Sequence, residues 1–253
     1  MLKRWQFIFL LAVTYMAVQN AAQTQGSIPR FQLLILRENW FDLGLGYDPE
    51  PALERLSAAD YSNPLFTVTL DDIDGYVWDW QTITLTPDAT RKLVQTVDEV
   101  EHPEGAQRLL DLEASMGWGD LLSRGLYIQP FVVLADGEFA YGGIFLDAIS
   151  QMAINFPVIR ISVNDEQAVM NILPIHIPFV DYDPILRAAS LDDAFTPIIE
   201  GDRQSAPDFF DEAVSGWSSS EMAVHFRTVI MSDNVRSVIE ESGKLDETPA
   251  QMP

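Results

Sequence analysis

Apolar and polar positions along this chain fall into three regimes. The first is an uncharged, largely apolar run of 12 residues, Phe7 to Val18, with Lys3 and Arg4 before it and Ala21 and Ala22 after it. A basic start, an apolar middle and a small-residue end are the layout of a secretory signal peptide, and ~20 apolar residues would be needed to span a bilayer as a helix. The pattern predicts a signal peptide over 1–22 and an extracytoplasmic protein, periplasmic or secreted.

The second regime has the short period of strands. Phe31 to Arg37 is a compact apolar run that suits a buried strand. Leu65–Leu70 and Tyr76–Leu85 read as two strands joined into a hairpin by Asp71-Asp72-Ile73-Asp74-Gly75. Further on, Phe131–Leu134, Glu138–Leu146, Ile154–Val163 and Val169–Ile177 give four more strands. Asp136-Gly137 between two apolar runs is a hairpin signal, and Asn164-Asp165 falls in a second turn. Pro157, Pro174 and Pro178 mark edges, bulges or strand ends.

The third regime is helical. Thr86 caps a helix with Pro87 in its first position, and Leu93, Val97 and Val100 share a face. A second helix is expected from Pro103 to Met116, with Gly117, Gly119 and Gly125 marking a loop after it. Shorter helices are read at Pro51–Ala59, after Asp183-Pro184 and after Ser205. Ser232 caps a last one, with Val235, Val238 and Ile239 inward and Gly243 as its stop. Grouped strands flanked by helices predict an α+β fold: a mainly antiparallel sheet, with a four-strand meander over about 131–177 and helices packed on one side. One globular domain is expected over 23–245, with a possible subdomain at 31–116 and a disordered tail at 246–253.

Charge narrows the partners. The chain carries 38 acidic and 15 basic residues, a formal net charge of −23. Nucleic acid and anionic membrane surfaces would repel it, because binding them needs clustered Lys and Arg. A Lys-poor, Asp-rich surface suits a saline medium, and it equally suits an ordinary acidic secreted protein. No cysteine occurs, so disulfides, lipidation at cysteine and thiol catalysis are excluded.

The candidate chemistry lies in side chains that alternation brings together. Tyr76, Trp78 and Trp80 sit two apart on one expected strand, with Thr82 and Thr84 continuing the same face. Exposed, the three rings would form a platform for sugar rings or an extracellular surface; covered, they would be core under the helix at Pro87. The acidic turn at 71–75 lacks the first and last ligands of an EF-hand, since Leu70 and Gln81 hold those positions. His102, His176 and His225 form no metal-ligand spacing, and His176 ends an apolar strand as a hydrogen-bonded core residue would. No nucleophile elbow or phosphate loop appears, so no cofactor is expected; Gly142-Gly143 reads as a bulge or a close packing point. Paired acids such as Asp71/Asp72, Asp181/Asp183, Asp192/Asp193 and Asp211/Glu212 are abundant without being selective.

The leading functional expectation is an extracytoplasmic, non-catalytic binding or accessory protein. Tyr76, Trp78 and Trp80 would contact a glycan or an extracellular protein. The alternatives are a secreted hydrolase using paired carboxylates, or a structural subunit of an envelope assembly that pairs through bare strand edges.

Overall fold

The computed structural model describes residues 29–101, 117–147, 150, 152–176 and 219–246. Its centre is one nine-stranded mixed sheet. In chain order the strands are β1 (Phe31–Ile35), β2 (Phe66–Thr69), β3 (Ile73–Val77), β4 (Thr82–Leu85), β5 (Pro130–Ala135), β6 (Glu138–Phe145), β7 (Val158–Asn164), β8 (Gln167–Leu173) and β9 (Leu245–Asp246). Across the sheet the order is β2-β1-β5-β6-β7-β8-β4-β3-β9. β6 and β7 pair in parallel, as do β3 and β9, and the other neighbours are antiparallel.

This sheet cannot be flat. β2 and β3 lie seven strand positions apart, so strand spacing of about 4.8 Å would separate them by roughly 34 Å in a flat sheet. Only the single 3-10 turn Leu70–Asp72 connects them. The four Cα steps from Thr69 to Ile73 reach at most about 15 Å. The sheet therefore rolls until its ends approach, and the contact of Phe31 on β1 with Tyr76 on β3 (centroids 6.5 Å apart, edge-on) crosses the interior of the roll. Phe131 stands edge-on to Tyr141 and to Phe145 in the same core. β5 is buried at every position, which fits its unbroken apolar sequence and coverage on both faces.

Helices meet the roll at several places. α1 (Pro49–Ser57) buries Ala52 and Leu56 and packs on β5 and β6. α2 (Pro87–Glu101) packs on β8, where Thr90 Oγ1 accepts from the Ala168 amide at 2.8 Å. α3 (Gly117–Gly125) packs on α2 and β7, and α4 (Ser219–Ile230) on β6. α5 (Asp233–Ser242) lies against β1, β5 and β9. Ser232 caps α5 through the Val235 amide, and Gly243 ends it at φ +71°.

Several sequence expectations need correction. The four central strands are neighbours, but they do not form an antiparallel meander. The chain after β6 crosses back before β7, so those two strands run parallel. The expected α+β arrangement, a mainly antiparallel meander with helices packed on one side, is replaced by one nine-stranded mixed sheet with few helices against it. The 65–85 hairpin does not form as read, because β2 pairs with β1. The Asp72 carboxylate accepts from the Thr69 amide (3.0 Å) and hydroxyl (2.8 Å), which turns the chain at that point. The long strand then breaks at the 3-10 turn Trp78–Trp80, and β3 pairs with β4 across it. Gly117–Gly125, expected as loop, is helical because Leu121, Leu122 and the following Leu126 need burial. The Asp136-Gly137 turn joins β5 to β6 with both residues at positive φ. The expected signal segment 1–22, the expected Pro103–Met116 helix, the expected helices after Asp183 and Ser205, and nearly all of the 246–253 tail lie outside the described residues. Among the described residues, no helix is long and apolar enough to cross a membrane.

Candidate binding rim

The expected aromatic row is interior. Tyr76 is fully buried, and Trp78 and Trp80 retain 6% and 9% exposure. Trp78 has left the strand for the 3-10 turn, so the three rings do not line one open face. Tyr76 and Trp78 pack at 5.8 Å, and the Arg236 guanidinium of α5 lies 5.8 Å over the Trp78 ring. Tyr76 donates to Gln81 Oε1 at 2.7 Å, and Gln81 Nε2 donates to the Trp78 carbonyl at 2.8 Å. Gln81 itself is fully buried with φ +47°, and its side chain is satisfied inside the core. Burial pushes the Tyr76 and Tyr141 phenols well above their ordinary range, so both are neutral core groups.

Other sequence candidates are also committed to structure. Asp72 is held by Thr69, and Asp74 accepts from Gln167 Nε2 at 3.0 Å. Among the described residues, no group of three or more His, Asp and Glu side chains is placed to hold a metal. His176 is buried: its Nε2 donates to the Ser150 carbonyl at 3.1 Å, and its Nδ1 lies 2.9 Å from Arg160 Nη2. Burial, joined by the Arg160 charge and opposed by the bond to Ser150, brings its pKa down to about 4. His225 is exposed beside Phe226. His102, Asp181/Asp183, Asp192/Asp193 and Asp211/Glu212 lie outside the described residues.

Exposed aromatic surface collects elsewhere, beside the end of β1 and the start of β5. Phe41 is 75% exposed, Tyr47 53% and Tyr127 39%. The loop carrying the first two is pinned. Asn39 Oδ1 accepts from the amides of Phe41 (2.9 Å) and Asp42 (3.0 Å), and Leu45 N donates back to the Trp40 carbonyl at 3.0 Å. The Arg55 guanidinium of α1 donates to the Gly44 carbonyl at the close of this turn. Trp40 is the loop's root: buried, stacked on Phe156 at 5.7 Å, and 5.6 Å from Tyr47. A buried anchor thus holds its two aromatic neighbours out in solvent.

Tyr127 belongs to the same region. Two residues on, Gln129 Nε2 donates to the carbonyls of Leu36 and Glu38, which ties its turn to the root of the Phe41 loop. Tyr127 donates to Met152 Sδ at 3.3 Å and lies 3.3 Å from Ser150 Oγ. The segment from Ser150 to Phe156 therefore touches both the Trp40 loop and Tyr127. Ile128, next to Tyr127, has φ +57°, where a β-branched residue costs ~1–3 kcal/mol. Its amide donates to the Phe145 carbonyl at 2.9 Å, so the pairing at the end of β6 enforces that conformation.

The sequence pointed away from these residues. Phe41 and Tyr47 sit in a loop among Gly, Asp and Pro, where no alternation places them on a face. The available signal was that large aromatics recur inside a turn-rich segment that cannot bury them all. No protein-family model matches the chain, and no curated protein and no solved structure matches it.

Proposed function

We propose that this is an extracytoplasmic, non-catalytic binding or accessory protein, and that its contact surface is the aromatic rim of Phe41, Tyr47 and Tyr127. The observation that carries the reading is the pinned loop, which presents the exposed Phe41 and Tyr47 rings from a fixed backbone. Rigid aromatic contacts lose little side-chain entropy when a partner covers them, which is why Tyr and Phe serve well at interfaces. The leader-like segment at 1–22 supports an extracytoplasmic setting. The partner in this reading is a glycan or an extracellular protein, and the rim takes the place of the interior Tyr76, Trp78 and Trp80.

The test is a binding panel of glycans and extracellular-matrix or envelope proteins, run with wild type and with Phe41→Ala/Tyr47→Ala. Binding that drops at least tenfold in the double variant, at unchanged melting temperature, supports the reading. Binding that is indifferent to both rings removes it.

A further inference from the structure

Both halves of the rim rest on one segment, Ser150 to Phe156. Phe156 stacks on Trp40, the root of the Phe41 loop, at 5.7 Å. Ser150 Oγ lies 3.3 Å from the Tyr127 hydroxyl, which donates to Met152 Sδ at 3.3 Å. One imidazole ties this segment to the sheet. His176 Nε2 donates to the Ser150 carbonyl at 3.1 Å. The His176 and Ile154 amides each donate to the other's carbonyl, at 2.8 and 2.9 Å. The second ring nitrogen, Nδ1, lies 2.9 Å from Arg160 Nη2 on β7. A guanidinium has only donors, so Nδ1 is the unprotonated acceptor in this arrangement. Residues 150–156 and β8 contain no Asp, Glu, Lys or Arg, and the charge that β7 brings against the ring is Arg160. A proton on Nδ1 would set N–H against N–H and place a second positive charge beside the guanidinium.

We propose that His176 is a pH-sensitive latch on the rim: a proton on its ring drives it away from Arg160, loosens the 150–156 segment from the sheet, and withdraws the support of Tyr127 and Trp40. This rests on the binding reading above and names the regulation of that surface, assembled at neutral pH and loosened in mildly acidic medium. The sign follows from the two states of the ring. In the closed latch, burial first and the Arg160 charge after it, against the bond to Ser150, hold the pKa down to about 4; a released ring titrates near 6.5. The released state therefore takes up a proton that the closed state declines. Between pH 7 and pH 5 this multiplies the released population by about 20-fold.

The experiment is residue-resolved amide hydrogen exchange on the full chain at both pH values, each amide corrected for its intrinsic pH dependence. Ile154 is the reporter and the amides of β5 are the reference. Relative to β5, protection at Ile154 should fall about 20-fold from pH 7 to pH 5 in wild type. It should fall by less than about threefold in His176→Gln, whose amide keeps a donor for Ser150 and an acceptor for Arg160. An Ile154 amide that merely tracks β5, or an equal fall in both proteins, would overturn the latch. Arg160→Gln is the check should His176→Gln not fold: without the guanidinium the ring keeps its proton more readily, so Ile154 should lose less protection than in wild type, and an equal loss would overturn the latch. A panel ligand that binds through the rings should weaken more from pH 7 to pH 5 on wild type than on His176→Gln. Equal weakening would overturn the regulation and leave the binding reading standing. If Ile154 responds as expected while Phe41→Ala/Tyr47→Ala binds the panel as wild type does, the binding reading falls, and with it the rim as what the latch controls.

Discussion

At the residue scale, two groups of aromatic side chains have opposite environments: Tyr76, Trp78 and Trp80 are buried, and Phe41 and Tyr47 are exposed. Trp78→Ala should cost ~3–5 kcal/mol, the range for removing a buried large side chain, whereas Phe41→Ala should stay within about 0.5 kcal/mol. Urea melts of the two variants measure this directly. The sequence could not separate the groups, because alternation places Tyr76, Trp78 and Trp80 on a common face only if the strand continues. The 3-10 turn at Trp78 and the left-handed Gln81 end that continuation. His176 was legible: an apolar strand end suggested a hydrogen-bonded core imidazole, and Ser150 and Arg160 occupy its two nitrogens. Its lowered pKa of about 4 has a signed consequence. The unfolded chain takes up the proton near pH 6.5, while the folded chain declines it until about pH 4, so stability is lost as pH falls through that window. From pH 7 to 5 the loss from this group should be roughly 2 kcal/mol. Denaturation of wild type and His176→Gln at both pH values checks it: the variant should lose less, and equal losses would contradict the assignment.

At the element scale, close approach and turn geometry fix the pairings. A Cβ on Gly143 would sit 1.8 Å from the Pro157 carbonyl oxygen, against backbone that cannot yield without parting β6 from the start of β7. A Cβ on Gly142 would meet the Phe131 carbonyl at 2.9 Å and the Leu56 side chain of α1 at 3.2 Å. Gly143→Ala should therefore destabilise by at least ~3 kcal/mol, read as a drop in the thermal midpoint. The Gly-Gly pair was visible in the sequence as a packing point, but its partner was not, since the parallel β6–β7 pairing depends on a crossover with no local signature. The two-residue turn Asp165-Glu166 makes the complementary case. Both residues have positive φ, and Glu166 is exposed, so Glu166→Gly should stabilise the protein by about 0.5–1 kcal/mol. A destabilised variant would show that the Glu166 side chain supports the hairpin. The helix boundaries at Pro87, Ser232 and Gly243 were readable because capping is local chemistry.

At the scale of the whole molecule, the roll of the sheet and the charge of the surface decide what can bind. The roll was hidden from the sequence because it follows from a long-range order in which β2 and β3, joined by a three-residue turn, stand seven positions apart in the sheet. It draws Phe31, Tyr76, Phe131 and Tyr141 into one interior and leaves aromatic exposure to the loop at its rim. Arg30 bridges Asp136 and Glu241 across the other end of β1, and these pairs hold both carboxyl groups below their ordinary range. With a net charge of −23, self-repulsion opposes compaction, so the melting temperature should rise between low salt and about 0.5 M NaCl. A thermal melt series that falls over that range would mean repulsion is not a governing term. The proposed contact surface is Phe41 and Tyr47, while the Tyr76 group is core. This is tested by the affinity of folded Phe41→Ala/Tyr47→Ala relative to wild type across the glycan and protein panel. A loss of at least tenfold is expected on whichever ligand the wild type binds; a folded double variant that binds as tightly as wild type would remove Phe41 and Tyr47 as the contact surface.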